Sequence, residues 1–421
     1  MRILWLKTEL LHPVDKGGRI RTYHMLKELK HEHHITYLTL DDGLSDADAR
    51  ERAIEYCHEL ICVPHHTRAK FTPGFYWDLT RNLGSRLPYF IMKYESPSMR
   101  REIEQRAAHG TIDVVVCDFL MSSVNMPAQV PCATVLFQHN VEAMIWKRHY
   151  EVQENPLKKL YLYGQWRKAF SFERHMCRRF DQVVAVSPED RKTMERDYSI
   201  DSVSHVPTGV DTNYFRPAIA KRQGPPNIVF TGSMDWLPND DAMKCFIRDV
   251  LPLIKRSIPD IKLTVVGRKP YSQLLEMSKR DPSIVVTGRV DDVRPYIDQA
   301  SVYVVPIRIG GGTRLKIYEA MAMEKPVVST TVGAEGLPVM DGREILLADT
   351  PEHFAEAVVN VLTDEKLASG LVNRAAHLVR EQFGWDIAAE KFKELCGQAL
   401  EAKALRSEEK IRTDQEVEAV I

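Results

Sequence analysis

Residues 310–328 read GGGTRLKIYEAMAMEKPVV and hold the groups best suited to chemistry on an anion. Gly310, Gly311 and Gly312 carry no side chains, so their backbone N–H groups can approach a bound group closely. They lead through Thr313, Arg314 and Leu315 into strong helix formers. A helix start turns unpaired donors and the positive end of its dipole toward whatever lies there. Arg314 and Lys316 add two cations at the same place, which makes a phosphate the natural ligand. Glu319, one to two turns on, is placed to accept from hydroxyls of a group attached to that phosphate, and a ribose diol supplies two. Gly-rich turns ahead of helices also arise for steric reasons alone, so the glycines do not decide the matter by themselves.

Five other places carry candidate chemistry. Gly17 and Gly18 sit in a turn-rich loop, residues 12–19, ahead of an amphipathic helix expected over 20–30. They are either a second anion-facing helix start or an ordinary strand-to-helix turn. His139 lies just past an apolar strand expected over 133–136, in the crevice where open parallel sheets bind ligands. A lone histidine is more often structural, and both readings stay open. Three more expected strands end in glycine, at Gly232, at Gly267 followed by Arg268, and at Gly288 followed by Arg289. Such ends leave backbone exposed along one rim of a sheet, which suits a flat base and its ribose.

The elements that must position these groups alternate regularly. Short apolar, β-branched runs at 2–6, 35–40, 113–116, 133–136 and 183–186 predict one set of strands, and runs at 228–231, 262–266, 284–286 and 302–306 a second. Helical stretches follow most of them, including 242–255, 313–323 and 351–363. This is the alternation of βαβ units on parallel sheets. Residues 385–404 read as an amphipathic helix, and the charged, weakly apolar text beyond Leu405 is expected to fray.

Longer matches bear on identity. Lys316, the run Glu319-Ala320-Met321-Ala322, Lys325-Pro326-Val327-Val328 and Gly333-Ala334-Glu335-Gly336-Leu337 together resemble the nucleotide-sugar-binding signature of retaining GT-B-fold glycosyltransferases, specifically glycosyltransferase family 4 (glycosyl transferases group 1). The resemblance implies an α/β chain of two doubly wound, Rossmann-like domains facing a cleft. The first, residues 1–206, would bind the acceptor and be joined by a crossing helix at about 385–405. The second, residues 207–384, would bind the nucleotide-sugar donor, with a flexible tail at 406–421. It implies transfer of a sugar from a UDP- or GDP-linked donor to a saccharide, lipid-linked or small-molecule hydroxyl, with retention. No Asp-x-Asp presents itself as a donor-site metal clamp, so neither metal nor further cofactor is expected. His139 and Glu319 become the catalytic pair. Gly17, Gly18, Gly232, Arg268, Arg289 and residues Gly310, Gly311, Gly312, Thr313, Arg314, Leu315 and Lys316 become the donor site. The chain departs from the family at Gly311, where many members carry glutamate, and at Gly232-Ser233, where many carry an arginine after the glycine. Arg314 is expected to supply part of that missing cation, and main-chain donors at Gly311 and Gly312 to replace the carboxylate. A hydrolysing nucleotide-sugar epimerase and a non-catalytic nucleotide-sugar binder share the architecture and remain alternatives.

Composition narrows the partners. With 57 basic and 58 acidic residues among 421, the formal charge is -1, which lacks the basic excess of a nucleic-acid protein. Seven cysteines without CxxC pairs suggest neither a disulfide framework nor a zinc site. No apolar stretch is long enough to span a bilayer, so a cytoplasmic protein is expected. Two basic-aromatic stretches, 65–101 and 158–179, suggest peripheral contact with an anionic membrane or a lipid-linked acceptor. The second also reads as a partly buried helix whose aromatics belong to the core.

Overall fold

The computed structural model describes residues 1–418 except 16, 45, 47, 70, 152, 201–202, 218–223 and 310–314, with side chains described as far as Arg406. The chain forms two compact units, Met1–Pro207 with Ala388–Ile421, and Thr208–Ile387.

The first unit is built on seven strands: β1 (Arg2–Lys7), β2 (His34–Asp41), β3 (Glu59–Pro64), β4 (Val114–Asp118), β5 (Ala133–Phe137), β6 (Gln182–Ala185) and β7 (Val203–His205). All pairings are parallel, in the order β3-β2-β1-β4-β5-β6-β7. Strands such as ILWL and VVVC are apolar along their whole length because helices cover both faces, and their residues are almost fully buried. The strand order reverses between β1 and β4. That reversal opens a crevice beyond their carboxyl ends, the usual place for a ligand in such sheets.

The second unit repeats the plan with β8 (Asn227–Thr231), β9 (Lys262–Val266), β10 (Ile284–Val286), β11 (Val302–Val305), β12 (Val327–Ser329) and β13 (Leu346–Leu347). Its order is β10-β9-β8-β11-β12-β13, again parallel, and the reversal falls between β8 and β11.

The structure adjusts several expectations. Strand β3 was not expected. Its Leu60-Ile61-Cys62-Val63 run is short and sits between polar segments, and pairing with β2 is what makes it a strand. The helix expected over 20–30 begins earlier, at Gly17, so both glycines lie in its first turn. The helix expected over 242–255 is three pieces, Leu237–Cys245, a π turn at Phe246–Val250, and Leu251–Ser257. Pro252 at the start of the last piece cannot donate a backbone hydrogen bond, which accounts for the break.

The final helix runs Trp385–Glu418 without fraying at Leu405. Glu, Lys, Arg and Gln dominate that segment and are good helix formers, so propensity carries the helix past its last apolar anchor. From Ala388 it belongs to the first unit. Phe392 packs against Trp5 and Phe137 at centroid distances of 5.4 and 5.0 Å, and Arg406 bonds Asp181 at 3.0 Å.

Candidate functional site

At the first reversal, β4 ends in Asp118, which is completely buried. An isolated carboxylate there would be very costly, so it is heavily bonded. Its Oδ2 accepts from Trp5 Nε1 at 3.0 Å, Lys7 Nζ at 2.8 Å and Thr22 Oγ1 at 2.5 Å. Its Oδ1 lies 2.7 Å from His139 Nε2. Burial alone would raise this carboxyl, but Lys7 and His139 hold it well below the usual carboxylate range. Burial also lowers Lys7, against the pull of Asp118. His139 is pushed down to about 3, first by burial and then, against the pull of Asp118, by Arg21 and Lys7. It is therefore a neutral imidazole. Nε2 faces Asp118 Oδ1, a proton there would leave Nδ1 as the acceptor, and neither ring nitrogen completes a hydrogen bond among the described residues.

The surroundings hold that ring in place. Phe119 stacks on His139 with centroids 3.8 Å apart, and Lys7 Nζ lies 4.5 Å over the Phe119 ring. Phe119 itself has φ 68 and ψ 152, a region almost reserved for glycine and costing about 1–3 kcal/mol. A Cβ on Gly18 would stand 2.8 Å from Phe119 Cζ, whereas one on Gly17 would meet nothing within 4 Å among the described residues. Beside His139, Gln138 donates to the buried Glu173 at 3.0 Å. Glu173 also accepts from the Glu142 and Ala143 N–H groups at 3.0 and 2.8 Å, and so caps the helix Glu142–Glu151. Burial pushes Glu173 up to about 8 and Glu142 to about 7.

At the second reversal, residues 310–314 lie outside the described residues, so Gly310, Gly311, Gly312, Thr313 and Arg314 carry no structural account. Leu315, Lys316 and Glu319 stand on the helix Leu315–Ala322, and Leu315 packs against the core. Lys316 Nζ lies 4.1 Å over the Phe230 ring and donates to Asn239 Oδ1 at 3.2 Å. Asn239 Nδ2 in turn donates to the Ser233 carbonyl at 2.9 Å. A Cβ at Gly232 would stand 2.6 Å from Lys316 Nζ and 2.8 Å from Asn239 Nδ2, so a side chain here would push those two groups aside. Gly267 is tighter still, its Cβ position falling 1.7 Å from the Gly232 carbonyl oxygen. That crowding brings Arg268 alongside, where its Nε donates to Ser233 Oγ at 2.8 Å.

Glu319 is half-buried by surface, yet protein packs closely about its carboxyl. Burial pushes it up to about 7, against the opposing pull of Lys316. Arg289 follows Gly288, whose φ is +72, after the edge strand β10. Among the described residues Arg289 makes no hydrogen bond or ion pair. The structure thus brings Gly232, Arg268, Lys316 and Glu319 to one reversal, and places Gly17, Gly18 and His139 at the other.

The basic-aromatic stretches divide. Lys168, Arg178 and Arg179 are tied to backbone carbonyls of Asn82, Tyr198 and Pro127. Phe71, Trp77, Leu157 and Leu160 are 65–81% exposed. Among the described residues, no helix is long and apolar enough to cross a membrane, and no three metal-binding side chains gather.

Residues that sequence reasoning missed are Asp118, Glu173 and Asn239. An aspartate closing the otherwise apolar strand VVVCD was the one legible signal among them.

Comparison with known proteins bears on both units. The model of the Glycosyltransferase Family 4 domain matches residues 16–214, and that of Glycosyl transferases group 1 matches residues 225–364. An uncharacterized 44.6 kDa protein in the cps region of Klebsiella pneumoniae is 22% identical over 85% of this chain and 90% of its own. A GDP-mannose-dependent alpha-(1-6)-phosphatidylinositol monomannoside mannosyltransferase of Mycolicibacterium smegmatis is 26% identical over 48% of this chain. That match spans only 58% of the relative. Among solved structures, Anabaena HepE in complex with UDP and glucose superposes with a TM-score of 0.64 and 10% identity, covering 94% of this chain and 98% of that one, a likeness of fold. With one family model on each parallel sheet and solved glycosyltransferase structures sharing the whole fold, the chain belongs to the GT-B glycosyltransferases of family 4, group 1.

Proposed function

We propose that this enzyme transfers a sugar from a nucleoside-diphosphate sugar to an acceptor hydroxyl, with retention and without a metal. The unit Thr208–Ile387 binds the donor and the unit Met1–Pro207, with the final helix, the acceptor. The observation that carries this is the tethered Lys316 beside Gly232 and Arg268, cations gathered where a parallel sheet reverses order. As the sugar C1–O bond to the diphosphate breaks, charge builds on the phosphate, and these cations stabilise it. The acceptor oxygen takes the vacated place at C1 and the hydroxyl proton leaves with the diphosphate. Glu319 accepts from the ribose hydroxyls as a carboxylate. His139 presents neutral Nδ1 to a hydroxyl of the transferred sugar. The donor is UDP- or GDP-linked.

The acceptor is lipid-linked or saccharide, and the first unit rests on the cytoplasmic face of an anionic membrane. Exposed Phe71, Trp77, Leu157 and Leu160, with Lys158, Lys159 and Arg167 nearby in sequence, support that contact. Flotation with anionic vesicles at low salt tests it, and association that survives Lys158, Lys159, Arg167 and Lys168→Ser contradicts it. A panel of labelled nucleotide sugars with saccharide and lipid extracts tests the activity. A new glycoside is expected, whereas a changed free sugar points to the epimerase and no product to a silent binder.

A further inference from the structure

Four groups at the second reversal form one connected chain. Lys316 Nζ donates to Asn239 Oδ1, Asn239 Nδ2 donates to the Ser233 carbonyl, and the Ser233 hydroxyl accepts from Arg268 Nε. The same hydroxyl donates to Asp235 at 2.5 Å, which fixes its rotamer. Met234 N donates to the Arg268 carbonyl at 3.0 Å and Gly232 N to the Val266 carbonyl at 2.9 Å, so the two strand ends are stitched together. Asn239 is 3% exposed and stands in the first turn of the helix Leu237–Cys245. All of this is built from described residues in the turns after β8 and β9 and on two helices.

The geometry points to Asn239 and Ser233 as positioning residues that aim Lys316 and Arg268 at one diphosphate. This rests on the nucleotide-sugar reading above and adds the residues that set the pair's spacing. The chemistry favours it for two reasons. An amide and a hydroxyl give an ammonium and a guanidinium a fixed direction through hydrogen bonds, while the carboxylates of Asp235 and Glu319 also interact electrostatically with Arg268 and Lys316. Long cationic side chains also lose much rotamer freedom on binding, and tethering them beforehand removes part of that cost. A Cβ at Gly232 would meet Lys316 Nζ and Asn239 Nδ2, and one at Gly267 would meet the Gly232 carbonyl, so both glycines keep this arrangement open.

Calorimetry with UDP and GDP tests the inference, with melting temperature measured on the same samples. Asn239→Asp sets a carboxylate against Lys316 in nearly the same shape, and diphosphate affinity should fall about tenfold or more. Ser233→Ala should lose about fivefold or more, and Ser233→Thr, which keeps the hydroxyl, should recover most of it. A purely structural role would lower the melting temperature and leave the affinity of folded protein alone. Affinities within twofold of wild type in both Asn239→Asp and Ser233→Ala overturn the inference. If Asn239→Asp does not fold, the Ser233 pair decides, and equal affinity in Ala and Thr overturns it. Wild-type protein that binds neither UDP nor GDP would instead overturn the nucleotide-site reading itself.

Discussion

The two sheets reverse at equivalent places yet treat charge differently. At the first reversal Asp118, Lys7, Thr22, Trp5 and His139 meet one another in a buried cluster, carboxylate against ammonium. At the second, Lys316 donates to an amide and Arg268 to a hydroxyl, with Asp235 close enough to interact with Arg268, and burial raises the Glu319 carboxyl to about 7. The fold decides where a site falls; the side chains decide whether charge there holds the chain together or awaits a ligand. A cluster that neutralises itself should be felt mainly in stability. Cations held partly by an amide and a hydroxyl should be felt mainly in binding.

The sharpest way to break the contrast is to remove Asp118. Asp118→Ala leaves Lys7 buried without its carboxylate, and breaking such a pair costs about 3–5 kcal/mol. A large drop in the denaturation midpoint is expected, and an unchanged midpoint would show that the cluster is not holding the first unit.

His139 tests the boundary between the two roles, being packed like a structural residue and placed like a catalytic one. His139→Ala is expected to lower turnover roughly a hundred- to a thousand-fold, about 2.7–4 kcal/mol, while donor affinity holds. Removing a ring stacked on Phe119 should lower the melting temperature as well. Normal turnover in folded protein would make His139 purely structural.

The pH dependence sharpens the second reversal. Glu319 is raised above the ordinary carboxylate range, so the folded apo protein holds its proton more tightly than the unfolded chain. Its contribution to stability is therefore complete below about pH 4.5 and is lost as pH rises through about 7. A ribose that needs the carboxylate should bind more tightly over the same interval, by at most about tenfold per pH unit, then level off. Glu319→Gln should flatten both curves. A diphosphate affinity independent of pH from 5 to 8 in wild type would remove the carboxylate role.

Much of this was legible in the sequence because it is local. Apolar strands, the glycine ends at Gly232, Gly267 and Gly288, and the Lys316–Glu319 spacing are patterns within a few residues. Asp118 was not, since Thr22, Lys7 and Trp5 lie 96, 111 and 113 positions away and only the strand order brings them together. Asn239 looks like any polar helix-start residue until Lys316, 77 positions on, reaches it. Lys168, Arg178 and Arg179 lie in a stretch expected to meet a membrane or form a partly buried helix, yet they donate to the distant carbonyls of Asn82, Tyr198 and Pro127. The last helix outran its apolar pattern because helix propensity, which burial patterns do not register, sufficed.

Lys316→Ala measures the central claim most directly, with UDP and GDP calorimetry and thermal melting on one preparation. Loss of a charge-assisted contact worth about 1.5–3 kcal/mol should weaken diphosphate binding roughly ten- to a hundred-fold while the melting temperature stays close to wild type. Unchanged affinity for both nucleotides, against measurable wild-type binding, would contradict the assignment of the second reversal as the donor site.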